Sequence, residues 1–236
     1  MTPGQLVKAV SIALDVPEET VVQHDRNLVV AGLRTTGARG RNAPSVTHRD
    51  AARLVASILG SVKVKDSASV VERLDQAKVL TKRKDYATLP LPRFVELPES
   101  HSFIDALTAI IDDVDTPQMF EDFPEFVRRF GNLWISSTGF EGEITHLPER
   151  KVMAERGLKD MIGISYLRLS SPTRSTGKTT LSDSYDWSSV YPCLEQERKI
   201  RGTSLMILGL CFQRGLPASR EAAFRAWKAA EKRAIA

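Results

Sequence analysis

The sequence predicts a mainly α-helical fold with an α+β C-terminal part: an N-terminal helix-turn-helix domain, with or without a wing, and a second, mixed α/β domain. Three observations indicate this class. Apolar residues recur at helical spacing through the first 84 residues, three prolines interrupt the pattern between residues 90 and 98, and alternating apolar residues typical of strands begin after residue 131. Because 42% of the residues are hydrophobic, the chain can form a packed core, which argues against wholesale disorder.

The first two helices are separated by a short turn. Residues 4–15 place apolar side chains on one helical face, and Asp15–Val16–Pro17 follow as the turn. The second helix is expected to begin at Pro17, because the missing N–H of proline would have no partner there anyway. Its apolar face consists of Val21, Leu28 and Ala31. Gly32 is well placed to end the helix in a left-handed conformation.

The outward side of the second helix and the segment after it carry hydrogen-bonding and basic side chains. In residues 34–46, here called the basic loop, glycines let the backbone approach a partner closely, and arginine forks match phosphate or guanine. A two-stranded wing and an irregular loop both fit this composition. The pattern predicts base contacts from the helix and phosphate or minor-groove contacts from residues 34–42. The candidate DNA-binding residues are Thr20, Gln23, His24, Arg26, Asn27, Arg34, Arg39, Arg41 and Asn42.

The string LVKAVSIALDVPEETVVQHDRNLVVAGL, residues 6–33, resembles the helix-turn-helix of bacterial and phage DNA-binding proteins. In such proteins the first helix braces the second, whose N-terminal half enters the major groove. The chain departs from the usual pattern at Asp15, where glycine is common. It also departs at Glu18 and Glu19, whose carboxylates favour a helix N-terminus but repel phosphate. A helical hairpin that binds protein, or that only folds, is the alternative.

A longer stretch, RNLVVAGLRTTGARGRNAPSVTHRDAARLVASILGS, is similar to N-terminal regions of alphaproteobacterial phage, prophage and gene-transfer-agent proteins. This resemblance implies a regulatory or phage-related role and not an enzymatic one. It implies nothing about the rest of the chain.

Two further helices are expected before residue 85. Thr47 is placed to cap a helix over residues 48–60, with Asp50 at the third helical position in a variant of the capping box. Residues 67–84 continue helically and end in three basic residues, where the helix dipole favours cations.

Three prolines place a linker after these helices. Pro90, Pro92 and Pro98 forbid a regular helix. A strand-and-turn segment within one continuous domain is the alternative. The predicted organisation is a helix-turn-helix domain with a trailing helix, a Pro-containing linker, and an α+β domain for dimerisation or interaction. The corresponding ranges are 1–84, 85–99 and 100–236.

The C-terminal part combines acidic helices, short strands and a buried helix. Residues 100–130 indicate two acidic amphipathic helices, whose carboxylates are expected to form a solvated face and not a metal site, because adjacent helical positions point to different faces. Strands are expected around Gly139 and Gly142, at 162–169 and in CLEQERKI. A very apolar helix ends near Gly215, and an alanine-rich basic helix follows, with packing on the second domain as its expected use.

No motif indicates catalysis, a cofactor or a metal. Ser175–Thr176–Gly177–Lys178–Thr179 is similar to a phosphate loop, but Pro172 stands where that loop needs glycine. The four histidines lack metal-ligand spacing, and no G-x-S-x-G is present. The chain is therefore expected not to be an enzyme, although a triad assembled in three dimensions would leave no such signal.

The composition predicts a cytoplasmic protein without a membrane span. No apolar run reaches about 18 residues, the length that a spanning helix needs. The N-terminus lacks the charged leader and the cleavage site of a signal peptide. Cys193 and Cys211 are expected to be buried thiols in a reducing compartment, with a disulfide between them as the alternative.

The net charge of +4 is unevenly distributed along the chain. Residues 1–84 carry 14 Lys/Arg and 8 Asp/Glu, residues 85–150 carry 4 and 13, and residues 151–236 carry 15 and 8. Basic ends attract nucleic acid through the phosphate charge. The acidic middle is a candidate contact for a basic partner, such as RNA polymerase or another regulator.

These patterns together predict a transcription regulator of phage, prophage or gene-transfer-agent type that binds double-stranded DNA sequence-specifically. A homodimer is expected, because one small DNA-binding domain offers limited affinity for DNA, whereas two such domains fix the spacing of the DNA half-sites. The alternatives are a non-specific DNA-binding component of phage packaging or assembly, and a protein-interaction module that binds no DNA.

Overall fold

The computed structural model describes residues 1–36, 45–89, 91–115, 133–137, 141–146, 162–167, 198–217, 219, 221–222 and 225. Its helices are α1 (Pro3–Leu14), α2 (Glu18–Val30), α3 (His48–Gly60), α4 (Ser67–Gln76), α5 (Pro92–Val95), α6 (Phe103–Val114) and α7 (Gly202–Arg214). Its strands are β1 (Lys78–Val79), β2 (Leu133–Ser137), β3 (Glu141–His146), β4 (Ile162–Leu167) and β5 (Arg198–Arg201). Short 3-10 turns lie at Val64–Asp66 and Arg83–Asp85. The predicted fold class, a mainly helical N-terminal region followed by an α+β part, is confirmed.

Three helices begin with a capping box, in which the N-cap side chain and the side chain three residues later each accept a hydrogen bond from the other's backbone N–H. The N-cap residues are Thr2, Thr47 and Ser102, at the starts of α1, α3 and α6. The predicted cap of α3 by Thr47 and Asp50 is confirmed. These caps explain why the helices start where they do.

The five strands form one antiparallel sheet in the order β1-β4-β3-β2-β5. Ile144 of β3 lies opposite Ile135 of β2 and Ile164 of β4, and all three side chains are fully buried. On the same side, the ring of Tyr166 packs edge-on against Phe103 of α6 at a centroid distance of 5.4 Å. The apolar face of the sheet therefore packs against the helices.

The helices and the sheet share one hydrophobic core, which extends from Leu6 of α1 to Cys211 of α7. α1 packs against α7, and α3 packs against α6. The expected linker also contributes to the core, because Tyr86, Leu91 and Phe94 are fully or almost fully buried. The predicted division into domains 1–84 and 100–236 stays a prediction.

The trailing helix predicted over residues 67–84 ends at Gln76, which corrects its boundary. The N–H of Val79 donates to the carbonyl of His101 at 3.2 Å, and the N–H of Leu80 donates to the carbonyl of Ser165 at 2.9 Å. These backbone N–H groups therefore form hydrogen bonds to other segments of the chain, and they are not available for the hydrogen bonds of a longer helix. Gly142, one of the two glycines around which strands were expected, lies within β3 and faces Phe103.

The first predicted acidic helix is α6, but its carboxylates do not all lie on a solvated face. Asp113 is only 4% exposed and accepts a hydrogen bond from the backbone N–H of Arg93 at 3.2 Å. Burial raises its pKa to about 6. The second acidic helix, residues 193–197 of the predicted strand and most of the C-terminal basic helix lie outside the described residues.

Two predictions about compartment can be compared with the structure. No helix within the described ranges is long and apolar enough to cross a membrane. Cys211 is a free, buried cysteine, and burial raises the pKa of its thiol to about 11. Cys193 lies outside the described residues.

Candidate nucleic-acid interface

A left-handed residue makes the turn between α1 and α2. Asp15 has φ 59° and ψ 43°, and no other non-glycine residue in the described part of the chain has a positive φ. Ser11 holds the turn, because its carbonyl accepts from the N–H of Val16 at 3.2 Å and its hydroxyl donates to the carbonyl of Val16 at 2.7 Å. Aspartate tolerates the left-handed region better than most residues, so it can occupy a position where glycine is usual.

One side of α2 is buried and the other is open to solvent. Val21, His24 and Leu28 pack inward. The exposed residues are Glu18, Glu19, Gln23, Arg26, Val29 and Val30. Thr20 is half-buried. Since successive residues of a helix are about 100° apart, Arg26 lies near the middle of the exposed side.

His24 and Asn27, two of the predicted base-contacting residues, bind other parts of the protein. His24 is 2% exposed, and its Nδ1 lies at hydrogen-bond distance, 2.8 Å, from the hydroxyl oxygen of Ser67. Asn27 donates from Nδ2 to the carbonyl of Val64 at 2.7 Å. Both side chains therefore fasten the 3-10 turn Val64–Asp66 and the start of α4 to α2. They are not on the surface that Gln23 and Arg26 share.

The side chain of Arg34 is also buried, and it contacts Asp25 on α2. Its Nε lies 2.5 Å from Oδ1 of Asp25, and the two side chains are 4% and 14% exposed. Burial raises the pKa of Asp25, and the neighbouring charge of Arg34 offsets this only in part. The pair therefore fixes the start of the basic loop to α2, and Arg34 is not available for a partner in this arrangement.

Asp50 joins the two ends of the basic loop. Its Oδ1 accepts from the N–H of Thr35 at 2.8 Å, and its Oδ2 accepts from the N–H of Thr47 at 2.8 Å. The carboxylate is 2% exposed, and although burial alone would raise its pKa, these hydrogen bonds hold it below the ordinary value. Arg53 adds a third link by donating to the carbonyl of Leu33 at 2.9 Å. Both loop ends are thus held at the first turn of α3.

Of the predicted site residues, the structure brings Gln23 and Arg26 together on one surface, with Thr20 at its edge. Arg39, Arg41 and Asn42 belong to the part of the basic loop outside the described residues. Sequence reasoning did not single out Lys63 and Lys65, which are exposed in the segment bound to Asn27. The signal was present in the short connector SVKVKD, where two lysines alternate with apolar residues.

The chain has a second concave region, a cleft of about 560 Å³ lined by residues of α3, α5 and α6. Its arginines already have internal partners. Arg49 pairs with Asp75 at 2.6 Å and Asp105 at 2.7 Å, and Arg93 pairs with Asp112. We assign no ligand to this cleft, because these ion pairs account for most of its charge.

Within the part of the chain that the structure describes, no group of three or more His, Cys, Asp or Glu side chains is arranged to hold a metal ion. No protein-family model, no curated protein and no solved structure matches the chain. The resemblance of residues 6–61 to phage-type DNA-binding proteins therefore stays a prediction.

Proposed function

We propose that this protein is a sequence-specific DNA-binding regulator of phage, prophage or gene-transfer-agent type that uses α1, the turn and α2 to bind double-stranded DNA. The observation that supports this most is the exposure of Gln23 and Arg26 on a helix whose opposite side is buried. A helix braced on one side and polar on the other suits the major groove. Arginine can form two hydrogen bonds with guanine, and glutamine two with adenine.

The fixed ends of the basic loop support the same proposal. Asp50 holds Thr35 and Thr47 together, and Arg34 binds Asp25 on α2. The arginines at positions 39 and 41 therefore belong to a segment that starts and ends beside the helix that would enter the groove. A homodimer would present two such DNA-binding helices at a fixed spacing. Binding two half-sites at once gives a higher DNA affinity than one small domain can reach alone.

A protein-interaction module is the second candidate, and the exposed side of α2 also favours it. Val30 is 87% exposed and Val29 is 37% exposed at the end of α2, and the exposed carboxylates of Glu18 and Glu19 lie at its start. Apolar and acidic groups on one surface suit a protein partner, whereas carboxylates repel phosphate. A non-specific DNA clamp for packaging or assembly is the third possibility, and it differs from a regulator in having no sequence preference.

The proposal is tested by fluorescence anisotropy of the intact protein on two duplexes, one random and one from upstream of its own operon, at two salt concentrations. The double variant Gln23→Ala/Arg26→Ala should lose most of the preference for the operon duplex, because each base contact contributes about 1–3 kcal/mol of discrimination. Arg39→Ala/Arg41→Ala should weaken binding to both duplexes, because phosphate contacts carry no sequence information.

Gln76→Ala/Lys84→Ala is the matched control, since it removes one amide and one cation from exposed positions away from α2. Equal binding to both duplexes with a steep salt dependence would favour the clamp. Binding to neither duplex would reject both DNA hypotheses and leave the interaction module.

A further inference from the structure

Two segments of the chain are bound to α2, one at each edge of its exposed side. Asp25 and Asn27 are about 100° to either side of Arg26 around the helix axis, so they lie at opposite edges of the surface on which Arg26 is central. At one edge, Asp25 binds Arg34 at the start of the basic loop. At the other edge, Asn27 binds the carbonyl of Val64.

The segment at the second edge carries two exposed lysines in a fixed backbone. Lys63 and Lys65 flank Val64, whose carbonyl accepts from Asn27 at 2.7 Å and also from the hydroxyl of Ser67. That hydroxyl in turn contacts His24 of α2. The buried polar residues of α2 therefore determine where the backbone between the two lysines lies.

The charges at this edge are available to a partner. Among the described residues, no ion pair joins Arg26, Lys63 or Lys65 to a carboxylate. The neighbouring carboxylates are Asp66, which is half-buried, and those of Glu18 and Glu19 at the start of α2. Lysine ammonium groups are compact, strongly hydrated point charges that bind phosphate without the directional fork of arginine.

We propose that Lys63 and Lys65 contact the phosphates of one DNA strand bordering the groove that α2 enters. This inference rests on the proposed function and adds a second phosphate-contacting segment to it. An α-helix with its side chains is about 10–12 Å wide and the major groove is about 12 Å wide, so segments at both edges of the helix meet the two backbones. His24 and Asn27 then act as positioning residues for this contact.

The test is the salt dependence of DNA affinity for Lys63→Gln/Lys65→Gln, measured beside Lys82→Gln/Lys84→Gln. All four lysines are exposed, but the second pair lies at the turn Arg83–Asp85, away from α2. Two lost phosphate contacts should lower the slope of log affinity against log salt by about 1.8 and the affinity by roughly 10- to 100-fold at 0.1 M salt. The preference for the operon duplex should remain, and the control pair should keep the wild-type slope.

A Lys63→Gln/Lys65→Gln variant whose slope equals that of the wild type would overturn the inference while leaving the proposed function intact. So would an equal loss of slope in the control pair, because the effect would then reflect net charge alone. A wild-type protein that binds no DNA would instead reject the proposed function itself. Circular dichroism and thermal unfolding of each variant ensure that only folded proteins are compared.

Discussion

The buried carboxylate of Asp50 accepts hydrogen bonds from three donors, namely the N–H groups of Thr35 and Thr47 and the hydroxyl of Thr47. Asparagine at this position would offer one acceptor oxygen where the two N–H groups use two. We expect Asp50→Asn to lower the free energy of unfolding at pH 7 by about 1–3 kcal/mol. Asp66→Asn is the control, because Asp66 makes no side-chain cap bond in α4 and should change stability little.

The contribution of Asp50 should also depend on pH with a definite sign. Its folded pKa lies below the value of the unfolded chain, about 3.9, so the stabilisation is present above that pH and is lost as the pH falls through the folded pKa. Urea unfolding at pH 7 and at successively lower pH should therefore show a gap in the free energy of unfolding between wild type and Asp50→Asn that narrows as the pH falls through the folded pKa. A gap that persists unchanged in acid would contradict this account.

Asp113 is predicted to behave in the opposite way, because burial raises its pKa to about 6 while the backbone N–H groups of Arg93 and Phe94 offset only part of the effect. Ionising it costs stability as the pH rises from about 4 to above 6. Asp113→Asn should therefore raise the free energy of unfolding by about 1–3 kcal/mol at pH 7.5 and leave it unchanged below pH 4. Urea unfolding of this variant beside Asp85→Asn, an exposed control, measures the difference.

Individual polar residues were the hardest to assign from sequence. Spacing along α2 identified Gln23, His24, Arg26 and Asn27 as hydrogen-bonding residues but could not show which ones already have internal partners. His24 and Asn27 bind groups 43 and 37 residues away in the chain. A helical pattern contains no information about such distant partners, so only the exposed pair remains in the proposed interface.

At the scale of elements, the contact between β3 and α6 leaves no space for a side chain at Gly142. A Cβ atom there would overlap the ring of Phe103, whereas at Gly163 in the adjacent strand the nearest atom would be Oε1 of Glu143 at 3.6 Å. We expect Gly142→Ala to destabilise the protein by about 1–3 kcal/mol through overpacking, and Gly163→Ala to change stability by less than about 0.5 kcal/mol. Thermal or urea unfolding of the two variants gives the comparison, and equal effects would argue against close packing at Gly142.

Elements with a local signal were predictable. The pair Thr47 and Asp50 predicted the start of α3, and the apolar run after residue 203 predicted α7. β1 was not predictable, because residues 78–79 form a strand only by pairing with residues 166–167 of β4. Helical periodicity before Lys78 extends into this stretch, and the distant pairing overrides it.

At the scale of the whole molecule, the shared core predicts that the first 84 residues do not fold well alone. A fragment of residues 1–84 would expose the surface of α1 that packs on α7 and the surface of α3 that packs on α6. We expect the full chain to unfold in one cooperative urea transition and the fragment to show no cooperative transition. A fragment that unfolds cooperatively and binds DNA would instead support the division into domains that the sequence predicts.

The overall class was predictable because it follows from local patterns, whereas the arrangement of the parts was not. The sheet order β1-β4-β3-β2-β5 joins strands separated by long stretches of chain. The prolines around residues 85–99 predicted that no regular helix forms there, but the short helix α5 begins at Pro92, because proline is tolerated in the first helical turn. The composition also could not indicate that Tyr86 and Phe94 enter the core. Their burial depends on surfaces supplied by α6 and β4.

The carboxylate of Asp50 also has a consequence for how the protein could diversify. Because the N–H groups of Thr35 and Thr47 meet at this one side chain, the sequence between Thr36 and Ser45 is joined to the rest of the protein at two fixed points, and doubling the length of a loop costs only about 0.6 kcal/mol. Related chains could therefore exchange this segment for one of another length or charge while keeping the same scaffold. For protein engineering, it is the natural site at which to graft a foreign loop and alter target preference.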